Sequence, residues 1–200
     1  MANYTFSNTS LITINDLTAA SPYPAAISVS GTTGLITGIQ VTINGLNHTY
    51  PGDIDILLVG PNGEKVLLMS DAGYGYDVNG INLTFTDSAI SSLPDSTQIL
   101  SGTYKPTDYQ PDTDSFPASA PSGPYGTSLS AFNNITANGT WKLFVVDDAS
   151  GDIGSISSGW SLDITTAQPQ PVQFNVSSLF NADGKLSTVI TVSQTPPRML

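Results

Sequence analysis

Three acidic loops carry most of the chemistry this chain could do: residues 71–80 (DAGYGYDVNG), 112–115 (DTDS) and 147–152 (DDASGD). Carboxylates, amide oxygens and backbone carbonyls are the hard donors that Ca²⁺ gathers, about six to eight at a time. Asp71, Asp77, Asn79, Asp147, Asp148 and Asp152 are therefore the candidate metal ligands, and Ca²⁺ is the candidate cofactor. Asp77-Val78-Asn79-Gly80 is like the opening of an EF-hand loop, but it lacks the third acid and the closing Glu, which excludes an EF-hand. Aspartate also favours turns for local hydrogen-bonding reasons, so these loops leave ion binding and plain turn duty as open alternatives.

The same inventory argues against catalysis. Proton transfer from a serine nucleophile needs a suitably placed base, and the chain has one histidine, His48, and no Gly-x-Ser-x-Gly elbow. The adjacent Asp147 and Asp148 point to opposite faces if they lie on a strand, which makes them a poor acid/base pair. The sole glutamate, Glu64, sits in a hairpin turn. The expectation is a protein that is not an enzyme, with no catalytic residues and no organic cofactor. Without cysteine, disulfides, thiolate catalysis and Cys-ligated metals are excluded.

The elements that must position these loops are strands. Charged residues make up 10% of the chain, while Gly, Pro, Ser, Thr and Asn abound, a composition suited to short strands and tight turns rather than helices. Period-2 patterning predicts strands over Ile12–Ile14, Ala25–Val29, 36–43, 53–59, 65–69, 82–85, 98–104, 140–147 and 156–164, with one helical turn over 87–93. Five prolines between 105 and 125 predict a long extended surface loop. The candidate core is Ile39, Val41, Ile54, Ile56, Leu58, Leu67, Trp141, Leu143, Val145, Trp160 and Leu162.

Residues 46–63, LNHTYPGDIDILLVGPNG, and 138–164, NGTWKLFVVDDASGDIGSISSGWSLDI, each read as a strand, an acidic Gly/Pro turn and another strand. Together they resemble the signature of the P domain (P/Homo B domain). This is the β-sandwich that follows the catalytic domain in kexin-, furin- and many bacterial subtilisin-like proteases. The resemblance covers roughly residues 27–164 and includes no protease domain. It implies an accessory, non-catalytic role beside a serine endopeptidase, a framework role for His48, and added weight for Asp147, Asp148 and Asp152 as Ca²⁺ ligands. The expected fold is all-β, an antiparallel jelly-roll β-sandwich over residues 1–166, with a linker and C-terminal strand or hairpin extension over 167–200.

That extension follows a TTAQPQP linker and lies outside the family pattern. Val172, Phe174, Val176, Leu179 and Phe180, with Leu186, Ile190 and Val192, give two apolar strands that cannot bury themselves alone. They are the candidate partner-binding residues, for a protein partner or for self-assembly by strand addition. Three function classes compete: an interaction or stabilising module for a protease; a structural subunit such as a phage capsid decoration, cement or tail protein or a surface-layer component; and a carbohydrate-binding module resting on the loop residues Tyr74, Tyr76, Tyr104, Tyr109, Phe116 and Tyr125. A net charge of −11 repels phosphate backbones, so nucleic acid is not an expected partner. No apolar run approaches the ~20 residues of a bilayer span, and the N-terminus lacks the pattern of a Sec signal peptide. An extracellular, cell-surface or virion location is expected.

Overall fold

The computed structural model describes residues 1–110 and 114–167 in full, and the backbone of residues 173–180 and 186–193. Twelve strands precede residue 168: β1 (Ala2–Asn8), β2 (Ile12–Ile14), β3 (Ala25–Val29), β4 (Leu35–His48), β5 (Ile54–Val59), β6 (Lys65–Ser70), β7 (Val78–Phe85), β8 (Gly102–Tyr104), β9 (Thr107–Asp108), β10 (Gly139–Asp147), β11 (Gly154–Ile156) and β12 (Trp160–Ala167). Two 3-10 turns, Pro51–Asp53 and Leu129–Phe132, are the helical content of the described residues.

These strands form two sheets with a core between them. One sheet has seven strands, running β1-β12-β4-β11-β2, with β7 pairing β4 and β8 pairing β7. The other has five, in the order β3-β10-β5-β6-β9. Alternation explains the packing: in β3 the burial repeats as buried, exposed, buried, so Ala25, Ile27 and Val29 face inward. Every proposed core residue is buried, with both tryptophans fully enclosed. Leu67 differs from the rest: it joins Leu57, Val59 and Phe144 in a second, smaller cluster apart from the main core.

That second cluster explains why β5 is buried at every position. Ile54, Ile56 and Leu58 enter the main core, while the opposite face of the sheet is covered by a proline-rich strap, residues 105–110 and 114–126. Phe116, Ala120 and Tyr125 of the strap, together with Tyr23, pack on Leu57, Val59, Leu67 and Phe144. Tyr23 meets Phe144 edge-on at 5.0 Å and Phe116 meets Tyr125 at 5.4 Å. The Leu67 N–H donates to the Gly126 carbonyl at 2.9 Å, fixing the far end of the strap.

β4 serves two partners in turn. It pairs with β12 through Ile43 and with β11 from Leu46, and Gly45 lies at the irregularity between them. At φ +73°, Gly45 accepts from the Ser157 N–H, and a Cβ there would meet Ser157 Oγ at 2.2 Å. Glycine is required at that handover.

The structure departs from the sequence expectation in four places. β1 was not anticipated: it is an edge strand on β12, half-buried on one side, so its apolar signal is thin. Residues 87–93 form turns and not a helical turn, and Ile90 is exposed. Only Gly102–Tyr104 of the expected 98–104 strand is paired. The sandwich is not wholly antiparallel: β8 runs parallel to β7, and β9 runs parallel to β6. Both parallel strands follow long connections that return the chain to the same end of the sheet, which a hairpin cannot do.

Residues 1–168 form one compact unit and residues 169–200 a second. In the second, β13 (Gln173–Phe180) and β14 (Leu186–Ser193) make an antiparallel pair whose register sets Phe174 opposite Val192, Val176 opposite Ile190 and Phe180 opposite Leu186.

Candidate functional site

The first of two acidic centres lies where β4 and β10 end and β5 begins. His48 Nε2 lies 3.1 Å from Oδ2 of Asp147, and both side chains are excluded from solvent. The other ring nitrogen, Nδ1, is 2.9 Å from the Tyr50 carbonyl. Asp147 Oδ1 accepts the backbone N–H groups of Leu17 at 3.4 Å and Ala149 at 3.2 Å. Burial holds the Asp147 carboxyl above the usual carboxylate range, against the opposing pull of Leu17, His48 and Ala149. Around this pair, the Asp148 N–H donates to the Asp53 carbonyl at 3.0 Å and Thr49 Oγ1 donates to Asp152 Oδ1 at 2.5 Å. Burial pushes Asp53 up to about 6, reinforced by Asp147, Asp152, Asp148 and Asp71. Gly154 closes the centre from β11: a Cβ there would lie 2.2 Å from the Asn47 carbonyl and 2.3 Å from His48 Cδ2. This is a locked framework, with both imidazole nitrogens engaged inside it.

The second centre lies where the strap meets β5 and β6. Carboxylate oxygens of Asp71, Asp108 and Asp114 lie within 4.8 Å of one another. Two oxygens on opposite sides of one Ca²⁺ stand about 4.6–5.2 Å apart, since each bond is about 2.3–2.6 Å. Ser70 Oγ is 2.9 Å from Asp71 Oδ2 and 2.5 Å from Asp114 Oδ1, and its single proton can serve only one of them. Gln110 supports the group by donating from Nε2 to Asp71 Oδ1 at 3.1 Å and from its backbone N–H to Asp108 Oδ1 at 3.0 Å. Asp55 stands behind them on β5, 3% exposed, and its Oδ2 has no hydrogen-bond partner among the described residues. Its carboxyl is pushed up to about 8, by burial first and then by Asp114, with Ser70 opposing and Asp148 and Asp71 adding to the rise. None of Lys65, Lys105 and Lys142 pairs with a carboxylate. A cavity of about 250 Å³ opens beside the group, lined by Asp108, Asp114, Gly123, Pro124 and Tyr125.

The proposed ligands are thus divided. Asp71 belongs to the second centre, and Asp147 and Asp152 to the first, while Asp148 carries charge that acts on Asp55 and feels Asp71, Asp147 and Asp114. Asp77 and Asn79 lie apart, beside Asn47, His48, Thr49 and Ile153 on a shallow cleft. Asp112 and Val172 lie outside the described residues, as do the side chains of Phe174, Val176, Leu179, Phe180, Leu186, Ile190 and Val192. Of the loop aromatics, Tyr125 and Phe116 hold the strap, and Tyr109 donates to the Leu93 carbonyl at 2.5 Å, whereas Tyr74 and Tyr76 remain exposed. Sequence reasoning missed Asp55 and Asp108 as site residues. The available signal was an acid inside the otherwise apolar run IDILLV, where a charge needs a partner.

A family model described as the proprotein convertase P-domain matches residues 36–164. A Streptomyces mobaraensis protein, a transglutaminase-activating metalloprotease, is 30% identical over 157 residues, covering 78% of this chain and 14% of its own length. This chain therefore spans about a seventh of that relative. Two solved structures of an Aeromonas sobria serine protease, one with its chaperone and one alone, align with 82% of this chain and 26% of theirs, at 19% and 15% identity and a TM-score of 0.42 in each case.

Proposed function

The chain belongs to the proprotein convertase P-domain family, and we propose that it works there as a non-catalytic module that binds and stabilises a partner protein outside the cell. The observation that carries this reading is the state of the lone histidine. A general base needs a ring nitrogen free to take a proton from a nucleophile, yet Nε2 of His48 faces Asp147 and Nδ1 faces the Tyr50 backbone, both out of solvent. Ca²⁺ is the cofactor that suits a surface with sixteen acids against five bases. The C-terminal strand pair supplies the element for joining a protein partner or another copy, because a lone two-stranded ribbon is marginal in water and offers open edges.

Purified full-length protein is expected to cleave neither casein nor ester substrates. Hydrolysis that copurified with the protein and vanished in His48→Ala while the fold persisted would sink the non-catalytic reading. For the binding role, light scattering after size exclusion is expected to show a concentration-dependent oligomer, or a complex with a co-expressed partner, that truncation to residues 1–168 abolishes. An identical stoichiometry for the two chains, alone and with the partner, would count against the strand pair as the joining element.

A further inference from the structure

We propose that Asp55, Asp71, Asp108 and Asp114 form a Ca²⁺ site that latches the proline-rich strap across the outer face of the five-stranded sheet. The inference rests on the cation-binding reading above and goes beyond it by naming the ligands and what the ion holds in place.

Two ligands belong to the sheet and two to the strap. Asp55 comes from β5 and Asp71 follows the last residue of β6, whereas Asp108 ends β9 and Asp114 lies farther along the strap. An ion among them adds a tie between two parts of the chain that are otherwise joined by apolar contacts, the short β6–β9 pairing and a few hydrogen bonds. Those contacts matter, because the strap is what covers Leu57, Val59, Leu67 and Phe144. A strap that lifted would expose a row of large apolar side chains on the sheet.

A cluster of aspartates by itself is ordinary, and the buried carboxylate behind it is not. Asp55 is almost wholly enclosed in a strand whose neighbours are apolar, and one of its oxygens meets no donor among the described residues. Leaving a carboxylate oxygen in that state is costly, and a buried acid is retained where a cation or a donor completes it. No lysine among Lys65, Lys105 and Lys142 does so: Lys65 instead reaches the Ser122 carbonyl and the face of Tyr125, 5.4 Å from the ring centre. The Ser70 hydroxyl is shared between Asp71 and Asp114, so it satisfies at most one of the group. Three clustered carboxylates, with a buried and incompletely paired fourth beside Ser70 on the neighbouring strand, ask for a divalent ion. The set favours Ca²⁺ over Mg²⁺, which holds its waters and demands tight octahedral geometry that ligands from four separate segments supply poorly.

The test uses the full chain, stripped with EDTA and then given CaCl₂ or MgCl₂. Saturating calcium, about a hundredfold above its Kd, is expected to raise the melting temperature by roughly 5–10 °C, with a smaller response to magnesium. Chymotryptic cleavage at Tyr109 and Tyr125, followed by mass spectrometry, is expected to slow at least tenfold with calcium. Asp55→Asn keeps the shape and removes the charge, so it is expected to fold and to lose both responses; Asp114→Ala, on the exposed strap, provides the second variant. Asp152→Ala is expected to keep both. Calcium stabilisation that survives Asp55→Asn and Asp114→Ala but fails in Asp152→Ala would overturn this site and leave the cation reading standing. Stabilisation that needs Asp55 without protecting the strap would overturn the latch. No calcium response in the parent chain would overturn both readings.

Discussion

His48→Ala is expected to cost about 3–5 kcal/mol of folding stability at pH 7, because it strips a buried carboxyl of its side-chain partner. At roughly 2–4 °C per kcal/mol for a domain of this size, the melting temperature should fall by about 6–20 °C. The cause is what remains behind. Asp147 would keep the Leu17 and Ala149 N–H groups but lose the imidazole, leaving Oδ2 enclosed and unpaired. The pH dependence follows from the direction of its shift. Burial already raises the native Asp147 carboxyl, and His48 is one of the groups pulling it down, so the variant's carboxyl rises further. An unfolded Asp releases its proton near pH ~3.9. Above that point the unfolded state binds fewer protons than the native state, so stability falls as pH rises. The penalty of His48→Ala should therefore be larger at pH 7 than at pH 4. Urea melts at the two pH values measure it, and the double variant with Asp147→Ala should cost less than the two single changes summed. A loss below about 1 kcal/mol, unchanged with pH, would mean that His48 is not a framework residue and would reopen the question of its chemistry.

The parts of this molecule legible in the sequence are those where one face of a strand decides the pattern. Ile39, Val41 and Ile43 alternate with polar residues because β4 has a solvated face, whereas on β10 that alternation ends at Lys142, since Phe144 and Val146 are buried too. β5 shows the limit. Its period-2 signal vanishes because the strap buries its second face, and nothing local to IDILLV reveals that a segment some fifty residues later lies across it. The partner of Asp55 was hidden for the same reason. An acid in an apolar run signals that a partner is needed, but which partner depends on the strap that covers this face of the sheet. The acidic loops were visible as loops, but their grouping was not. Asp147 and Asp148 are neighbours in sequence, yet it is Asp147 that pairs with His48, since successive residues at a strand end face different ways. Asp71 joins Asp108 and Asp114 only through the parallel pairing of β9 with β6, a long-range contact with no sequence signature.

Trp141→Ala is expected to cost about 3–5 kcal/mol, the range for deleting a fully buried aromatic, and to cost more than any surface change. The ring lies 4.9 Å from that of Phe132 and its Nε1–H donates to the Ala137 carbonyl at 2.9 Å. Truncation would lose the packing and the hydrogen bond together, and leave a cavity where two sheets meet. Phenylalanine separates these contributions. Trp141→Phe keeps most of the apolar contact and forfeits the hydrogen bond, worth about 0.5–1.5 kcal/mol net, in addition to the lost ring volume. Trp160 gives the internal comparison: it is equally buried, but its Nε1 has no hydrogen-bond partner among the described residues. Trp160→Phe would remove a buried donor that is not satisfied, so it should be the milder of the two Trp→Phe changes when measured by urea denaturation. The reverse order would show that the Trp141–Ala137 bond adds nothing. β10 carries Trp141 in the core at one end and Asp147 at the other, with Leu143 and Val145 facing inward between them. A loosened Trp141 should therefore weaken the His48–Asp147 framework six residues away, and Trp141→Phe combined with His48→Ala should depart from additivity.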